Sequence, residues 1–206
     1  MAVSGRVCRD PLRRFPPGAP LALSGRAPPP ARERIVLALN KTRGTVTTER
    51  DPEGRPTVFG LLPPGLPRVV AVGRLDRATR GLLLFTNDTA LADRLTDPER
   101  HVPKTYHVHV DRVLPPEALR RLASGAALAD GTRTRPCKAR LLRSGGKTCW
   151  LEIILTEGLN RQVRRMVESA GGRVLDLVRV SIGTLALGAL KPGESRRLSA
   201  AEVRAL

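Results

Sequence analysis

Short apolar runs separated by turns are the feature that most limits what this chain of 206 residues can fold into. Residues 35–39, 69–72 and 81–86 have the length of buried strands, and each is followed directly by Asn or Gly. Lys104–Val110 alternates between apolar and polar residues, as a strand that buries one face does. No run approaches the roughly 20 apolar residues of a membrane span. We therefore expect a sheet-rich domain without a membrane segment.

Helices are predicted between these strands. Over residues 161–170 apolar side chains recur at helical spacing, Asn160 can cap the start, and Gly171 follows the end. The other predicted elements are helices over 89–95 and Pro116–Ala123, a final helix capped by Ser199, and strands over 139–142, 147–155, 173–180 and 185–190. Because strands and helices do not strictly alternate, we predict an α+β fold with a mixed, largely antiparallel sheet and flanking helices.

The charge indicates the partner. Lys plus Arg number 36 and Asp plus Glu number 19, which gives a formal charge of +17. Such a surface binds phosphates by releasing counterions, and Arg favours bidentate phosphate contacts. GC-rich coding accounts for the choice of Arg but not for the shortage of carboxylates, so nucleic acid is the expected partner. Residues 1–34 are basic and rich in Pro, and we expect them to be separate from a catalytic domain over 35–206.

No metal or cofactor site is expected. Cys8, Cys137 and Cys149 are odd in number and lack CxxC spacing, so we expect reduced thiols in the cytoplasm. His107 and His109 share one face of a strand, where histidines on a basic protein more often meet solvent or RNA than a metal. The glycines lack the spacing of a nucleotide-binding loop, and the chain start lacks the apolar region of a signal peptide.

Asp76 is the first candidate for chemistry. It lies in a Gly-Arg-Leu-Asp-Arg turn between two apolar strands, among Arg74, Arg77 and Arg80. Neighbouring cations favour the ionised carboxylate, so Asp76 can act as a nucleophile or a base near neutral pH. The alternative is a structural Asp that caps the turn or pairs with a neighbouring Arg.

Two further features each have a functional and a structural interpretation. Arg161, Arg164 and Arg165 share the polar face of the predicted helix, where they either stay solvated or bind a carboxylate and phosphate. Tyr106 is the only tyrosine, and it points with the apolar face of its strand. There it either packs in the core or stacks on an exposed base.

Seven segments carry a resemblance to a known family. They are residues 39–44, 51–57, 73–88, 104–106, 157–166, 182–185 and 190–193, and they include Gly-Arg-Leu-Asp-Arg, Lys-Thr-Tyr and Arg-Gln-Val-Arg-Arg-Met. In this order they resemble the RsuA-type ribosomal RNA pseudouridine synthases over residues 35–206. The ordered set is highly specific, although one motif alone would be weak. The resemblance implies the pseudouridine synthase fold with a central RNA-binding cleft, and isomerisation of uridine without cofactor or metal.

The resemblance also implies roles for individual residues. Asp76 would be the catalytic group, Tyr106 would pack on the target base, and Arg164 would pair with Asp76. Arg74 would probe the RNA stack beside the flipped nucleotide. Further RNA contacts are expected from Lys41, Arg77, Lys104, Arg161 and Arg165, and the uracil pocket is expected to be walled by Ile182 and Leu185.

The chain departs from the family pattern in a few places. Thr42, Thr89 and Leu159 stand where the family usually has Pro, Gly and Arg, and the last change removes a phosphate contact. None of the three touches the expected chemistry. Residues 3–11 and 16–25 resemble only the trailing half of an S4-type RNA-binding domain. We therefore expect residues 1–34 to be a partial S4-like segment.

The leading hypothesis is an enzyme that isomerises one uridine in ribosomal RNA, free or in an assembling particle. Large-subunit RNA is slightly favoured, because some large-subunit members of the family also lack an intact S4 domain. We expect a cytoplasmic monomer. The alternative is a non-catalytic basic RNA-binding factor for ribosome assembly, which would have no need of Asp76, Tyr106 and Arg164 together. A carboxylate-nucleophile hydrolase would need a water-activating base or a metal, and neither is evident.

Overall fold

A computed structural model describes residues 2–10, 13–15, 19–22 and 33–206, and the chain divides into two units between Glu33 and Arg34. In the first unit, β1 (Ala2–Val3) pairs antiparallel with β2 (Arg6–Val7) and β3 (Leu21–Ala22). The segment 16–25 that resembles an S4-type domain lies mostly outside the described residues, since only 19–22 of it are included.

A nine-stranded sheet forms the frame of residues 34–206. Its strands are β4 (Val36–Lys41), β5 (Val70–Val72), β6 (Arg80–Thr86), β7 (Lys104–Val110), β8 (Lys138–Gly145), β9 (Thr148–Leu155), β10 (Val174–Ile182), β11 (Leu185–Ala186) and β12 (Ser195–Arg197). The order is β12-β4-β6-β10-β7-β9-β8, with β5 beside β6 and β11 beside β10. Of these pairs only β6 and β10 run parallel, which confirms the mixed, largely antiparallel sheet.

Four α-helices flank this sheet: α1 (Thr89–Thr96), α2 (Pro116–Ala123), α3 (Gln162–Ser169) and α4 (Ala200–Ala205). The N-cap of α1 is Asp88, whose carboxylate accepts from the Leu91 amide at 3.0 Å, and α4 begins with a capping box of Ser199 and Glu202. None of the helices in the described ranges has the length and apolar character that crossing a membrane requires. The predicted α+β class is confirmed.

The core is mainly aliphatic and lies on both faces of β6. Leu82 and Leu84 pack in a cluster with α1, whereas Leu83 and Phe85 pack in a cluster on the opposite face. A third cluster joins the inner faces of β7 and β9 to α2 and α3. Tyr106 is half-buried and packs against both this third cluster and the cluster of Phe85. It therefore lies between these two clusters.

Gly81 brings β6 and β10 close together at the centre of the sheet. Its φ is +104°, and a Cβ at this position would lie 2.3 Å from the Arg179 carbonyl oxygen. The loop that precedes β6 is therefore held directly beside β10. This loop contains Asp76.

Candidate active site

A cleft of about 560 Å³ lies beside the centre of the sheet. It is lined by the loop 73–79, by the inner faces of β7 and β10, and by the segment 157–163 that leads into α3. Six of the predicted site residues line it together: Arg74, Asp76, Arg77, Lys104, Tyr106 and Arg161. These side chains are far apart in sequence, and the parallel pairing of β6 with β10 brings them to one place.

The backbone around Asp76 is fixed on both sides. On one side the Thr47 hydroxyl donates to the Leu75 carbonyl at 2.7 Å and accepts from the Leu75 amide at 3.2 Å. On the other side the Thr79 amide donates to the Asp76 carbonyl at 2.9 Å. The loop therefore presents the carboxylate to the cleft from a rigid support, which is the usual arrangement of a catalytic group.

Lys41 is buried and does not line the cleft, contrary to the RNA contact expected for it. The side chain is fully buried, and its ammonium donates to the carbonyls of Thr79 at 2.8 Å and Thr42 at 3.0 Å. Burial lowers the pKa of Lys41 to about 8, although the attraction of Asp76 opposes this change. A lysine can be buried here because main-chain carbonyls accept hydrogen bonds from its ammonium. Lys41 thus holds the loop that carries Asp76.

The cation nearest to Asp76 is Arg161, not Arg164 as expected. The Arg161 Nη1 atom lies 4.0 Å from the Asp76 Oδ2 atom. Arg164 is buried and donates instead to the carbonyls of Ala78 at 3.2 Å and Val174 at 3.5 Å. Burial, with a smaller contribution from Arg161, moves the pKa of Arg164 below its usual range. Arg164 therefore supports the loop of Asp76 through its backbone and makes no direct ion pair with the carboxylate.

Three other predicted residues lie outside the cleft. Arg165 forms an ion pair with Asp130 and does not line the cleft. Ile182 and Leu185 are buried in the cluster that α1 forms with β6, so they fill the core and do not line the cleft. The apolar walls of the cleft are instead Leu75, Leu155, Leu159, Val163 and Leu177.

Arg179 is a cleft residue that was not predicted from the sequence. It lies on β10 directly opposite Tyr106 of β7, and it is buried with 4% exposure. Its Nε donates to the Leu82 carbonyl at 2.8 Å, and its Nη2 is buried without a hydrogen-bond partner. Burial and the nearby Arg179 lower the pKa of Lys104. The register of β7 against β10 decides this placement, and no local motif marks it.

This arrangement places a carboxylate, an aromatic ring and several cations around one cleft, which suits a flipped base and its phosphates. A comparison with family models matches residues 35–169 to the RNA pseudouridylate synthases. The chain belongs to this family. The matched region contains Asp76, Tyr106 and Arg164, and the protein is an RNA pseudouridine synthase, an isomerase.

Individual relatives agree with this membership. The synthase is 35% identical to the uncharacterized RNA pseudouridine synthase YtzG of Bacillus subtilis (strain 168), over 99% of this chain and 86% of the relative. It is 41% identical to the ribosomal large subunit pseudouridine synthase E of Xanthomonas campestris pv. campestris, over 82% of this chain and 98% of the relative. Among solved structures, a pseudouridylate synthase superposes with a TM-score of 0.78 at 27% identity, over 98% of this chain and 86% of that chain.

Proposed function

We propose that this synthase converts a uridine of large-subunit ribosomal RNA into pseudouridine with Asp76 as its catalytic residue. The observation that carries the proposal is the carboxylate of Asp76, which a fixed loop presents to a cleft shared with Tyr106 and Arg161. The choice of RNA rests on the relative of Xanthomonas campestris, whose name states a large-subunit activity.

The reaction is an isomerisation, so it needs no external reactant. The bond from N1 of uracil to C1′ of the ribose breaks, the base turns, and C5 bonds to C1′. C5 loses its proton and N1 gains one. Asp76 serves this sequence by attack on the ribose or by removal of a ribose proton, and both routes require its ionised form.

The other cleft residues bind the nucleotide. Tyr106 offers a flat ring to the base, which offsets part of the few kcal/mol that leaving the RNA stack costs. Arg74, Arg77, Lys104 and Arg161 supply positive charge for the phosphates on either side. In this proposal the protein acts as a monomer in the cytoplasm without metal or cofactor, and residues 1–34 add a partial S4-like contact to the RNA.

Release of tritium from RNA labelled at uridine C5 tests the proposal. Unmodified large-subunit and small-subunit transcripts, and assembling particles, are incubated with wild type and with Asp76→Asn. We expect the wild type to release tritium from large-subunit RNA or its particles. We expect Asp76→Asn to bind with similar affinity and to release none, because an amide cannot act as nucleophile or base.

Two results would count against parts of the proposal. Release from small-subunit RNA alone would overturn the choice of target and leave the role of Asp76 intact. Salt-sensitive binding with no release from any transcript, particle or total cellular RNA would indicate a non-catalytic RNA-binding factor for ribosome assembly.

A further inference from the structure

We infer that the sheet face opposite the catalytic cleft is a second RNA-binding surface, centred on Trp150 of β9 and Arg143 of β8. Its ligand is a single-stranded segment of the RNA, outside the nucleotides that enter the cleft. The inference takes RNA as the partner from the proposed function and adds a contact that the catalytic site does not provide.

The alternation of side chains along β7 and β9 separates the two faces of the sheet. Tyr106 lines the cleft, so His109 points to the opposite face. Leu151 and Ile153 pack with α2 and α3 on the cleft side, so Trp150 points away from both helices. It belongs to none of the three core clusters formed by the described residues, and it stays partly exposed. In this part of the chain α1 and α4 pack against β4 and β6 instead, so no α-helix covers the face of Trp150.

A ladder of planar groups crosses this open face from strand to strand. The register sets His109 of β7 and Arg143 of β8 on either side of Trp150. The rings of His109 and Trp150 are parallel to within 1°, with 4.8 Å between their centroids. The guanidinium carbon of Arg143 lies 5.4 Å from the centroid of the Trp150 ring, which is a cation–π distance. Because β8 is the edge strand of the sheet, the ladder ends in solvent, where a further flat group has room to stack.

The charge along β8 fits a nucleotide chain. Lys138, Arg140 and Arg143 share the open face, because all three pair with even-numbered residues of β9. Arg140 forms an ion pair with Glu152 at 2.6 Å, whereas no carboxylate of the described residues lies within ion-pair distance of Lys138 or Arg143. Arginine stacks on bases and binds phosphate, and lysine binds phosphate as a point charge. RNA along β8 therefore meets a stacking platform and free cations, whereas a second copy of this chain would meet like charge.

The fluorescence of Trp150 reports occupation of this surface directly. Trp150 is the only tryptophan of the chain, and it lies on the face away from the cleft. The wild type is titrated with a single-stranded adenosine oligonucleotide, which offers no uridine to the catalytic site. We expect a saturable decrease in Trp150 emission whose affinity falls as salt is raised. Unchanged emission, whether or not the labelled oligonucleotide binds elsewhere, would overturn the inference.

Arg143→Gln removes the charge at the end of the ladder and keeps a long polar side chain on the exposed edge strand. We expect it to weaken the binding seen by Trp150 emission about tenfold, and to lower the slope of log K against log salt by about 0.7. Arg121→Gln removes an exposed cation of α2, on the cleft side of the sheet, and is the matched control. Equal effects of the two variants would contradict the role of Arg143. Thermal unfolding midpoints show that both variants are folded.

The remaining outcomes separate this inference from the proposed function, since the titration requires no turnover. If emission falls in an Arg143-dependent way and the wild type forms no pseudouridine, the surface stands and the proposed function fails. If the wild type is active and RNA leaves the emission unchanged, the surface fails alone. Emission that depends on protein concentration without RNA would identify a second copy of the chain as the occupant, and would overturn the inference.

Discussion

Lys41 illustrates at the residue scale how a buried charge can serve an active site at a distance. Its ammonium is fully buried and hydrogen-bonds the carbonyls of Thr42 and Thr79, at the end of the loop that carries Asp76. Lysine is almost never buried without partners, and the expectation that went with the family resemblance was an RNA contact. The apolar run over residues 35–39 did not indicate that β4 extends to Lys41 or that Lys41 is buried.

Replacing Lys41 by Met should destabilise the protein and slow catalysis. The carbonyls of Thr42 and Thr79 lose their donor, which costs about 1–3 kcal/mol, and the Asp76 loop loses a fixed contact. Denaturant unfolding at pH 10, where the folded Lys41 is neutral and most of the cost of burying its charge is relieved, measures the first effect, and initial rates measure the second. Unchanged stability and rate would show that Lys41 does not support the loop.

The same variant reports the pKa of Lys41. Burial lowers this pKa to about 8, whereas the unfolded chain keeps the ordinary value of 10.5. Below pH 8 both states are protonated, so the cost of the buried charge is fully present and constant. Between pH 8 and 10.5 the unfolded state binds more protons, so the folded wild type gains stability. The difference in unfolding free energy between wild type and Lys41→Met should therefore grow across this range. A flat difference would contradict the lowered pKa.

At the scale of elements, the parallel contact between β6 and β10 builds the site. It places the Asp76 loop next to Arg179, and the antiparallel pairing of β10 with β7 places Arg179 opposite Tyr106. Gly81 allows the close approach, since a Cβ there would lie 2.3 Å from the Arg179 carbonyl. One glycine thus allows the loop of Asp76 and the ring of Tyr106 to line the same cleft.

Gly81→Ala should be severely destabilising, by more than about 3 kcal/mol, because the methyl group meets backbone that cannot move aside. Gly44→Ala is the matched control. Its φ of +95° gives a similar conformational penalty, but nothing lies within 4 Å of the added Cβ. Chemical denaturation of both variants separates the clash from the penalty of positive φ. Equal losses would mean that the close approach contributes nothing.

Local signals in the sequence predicted the elements but not the pairing that completes the site. Caps at Asp88 and Ser199 and the alternation of Lys104–Val110 are properties of neighbouring residues, and all three are confirmed. Helix spacing placed Arg164 on the polar face of α3, yet the residue is buried because the loop of Ala78 covers it. Arg179 was not predicted because its place in the cleft depends on the register of β10 against β7, which tertiary contacts set.

At the scale of the whole molecule, the charge of +17 gives long-range attraction to RNA. Cations such as Arg80 and Arg140 add nothing to this net charge, because they are paired with Asp176 and Glu152. The arginines that line the cleft add a specific position to this general attraction, and Arg161 lies 4.0 Å from the carboxylate of Asp76. Binding and catalysis should therefore respond differently to substitution.

Arg74→Ala should weaken RNA binding and reduce its salt dependence. Loss of one phosphate contact lowers the slope of log K against log salt by about 0.7 for a single strand. Arg204→Ala, on α4 and outside the cleft lining, removes the same charge and should leave the slope nearly unchanged. Affinities measured from 50 to about 200 mM salt provide both slopes. Identical slopes for the two variants would show that Arg74 makes no phosphate contact.

Direct detection of pseudouridine in a single turnover is the measurement that tests the central claim, the catalytic role of Asp76. Wild type and Asp76→Asn, each in excess over unmodified large-subunit RNA, are stopped at intervals, and the nucleosides are separated after digestion. We predict that pseudouridine appears with wild type at one position and is absent with Asp76→Asn, although both proteins bind the RNA equally. Pseudouridine formed by Asp76→Asn at the wild-type rate would contradict the account.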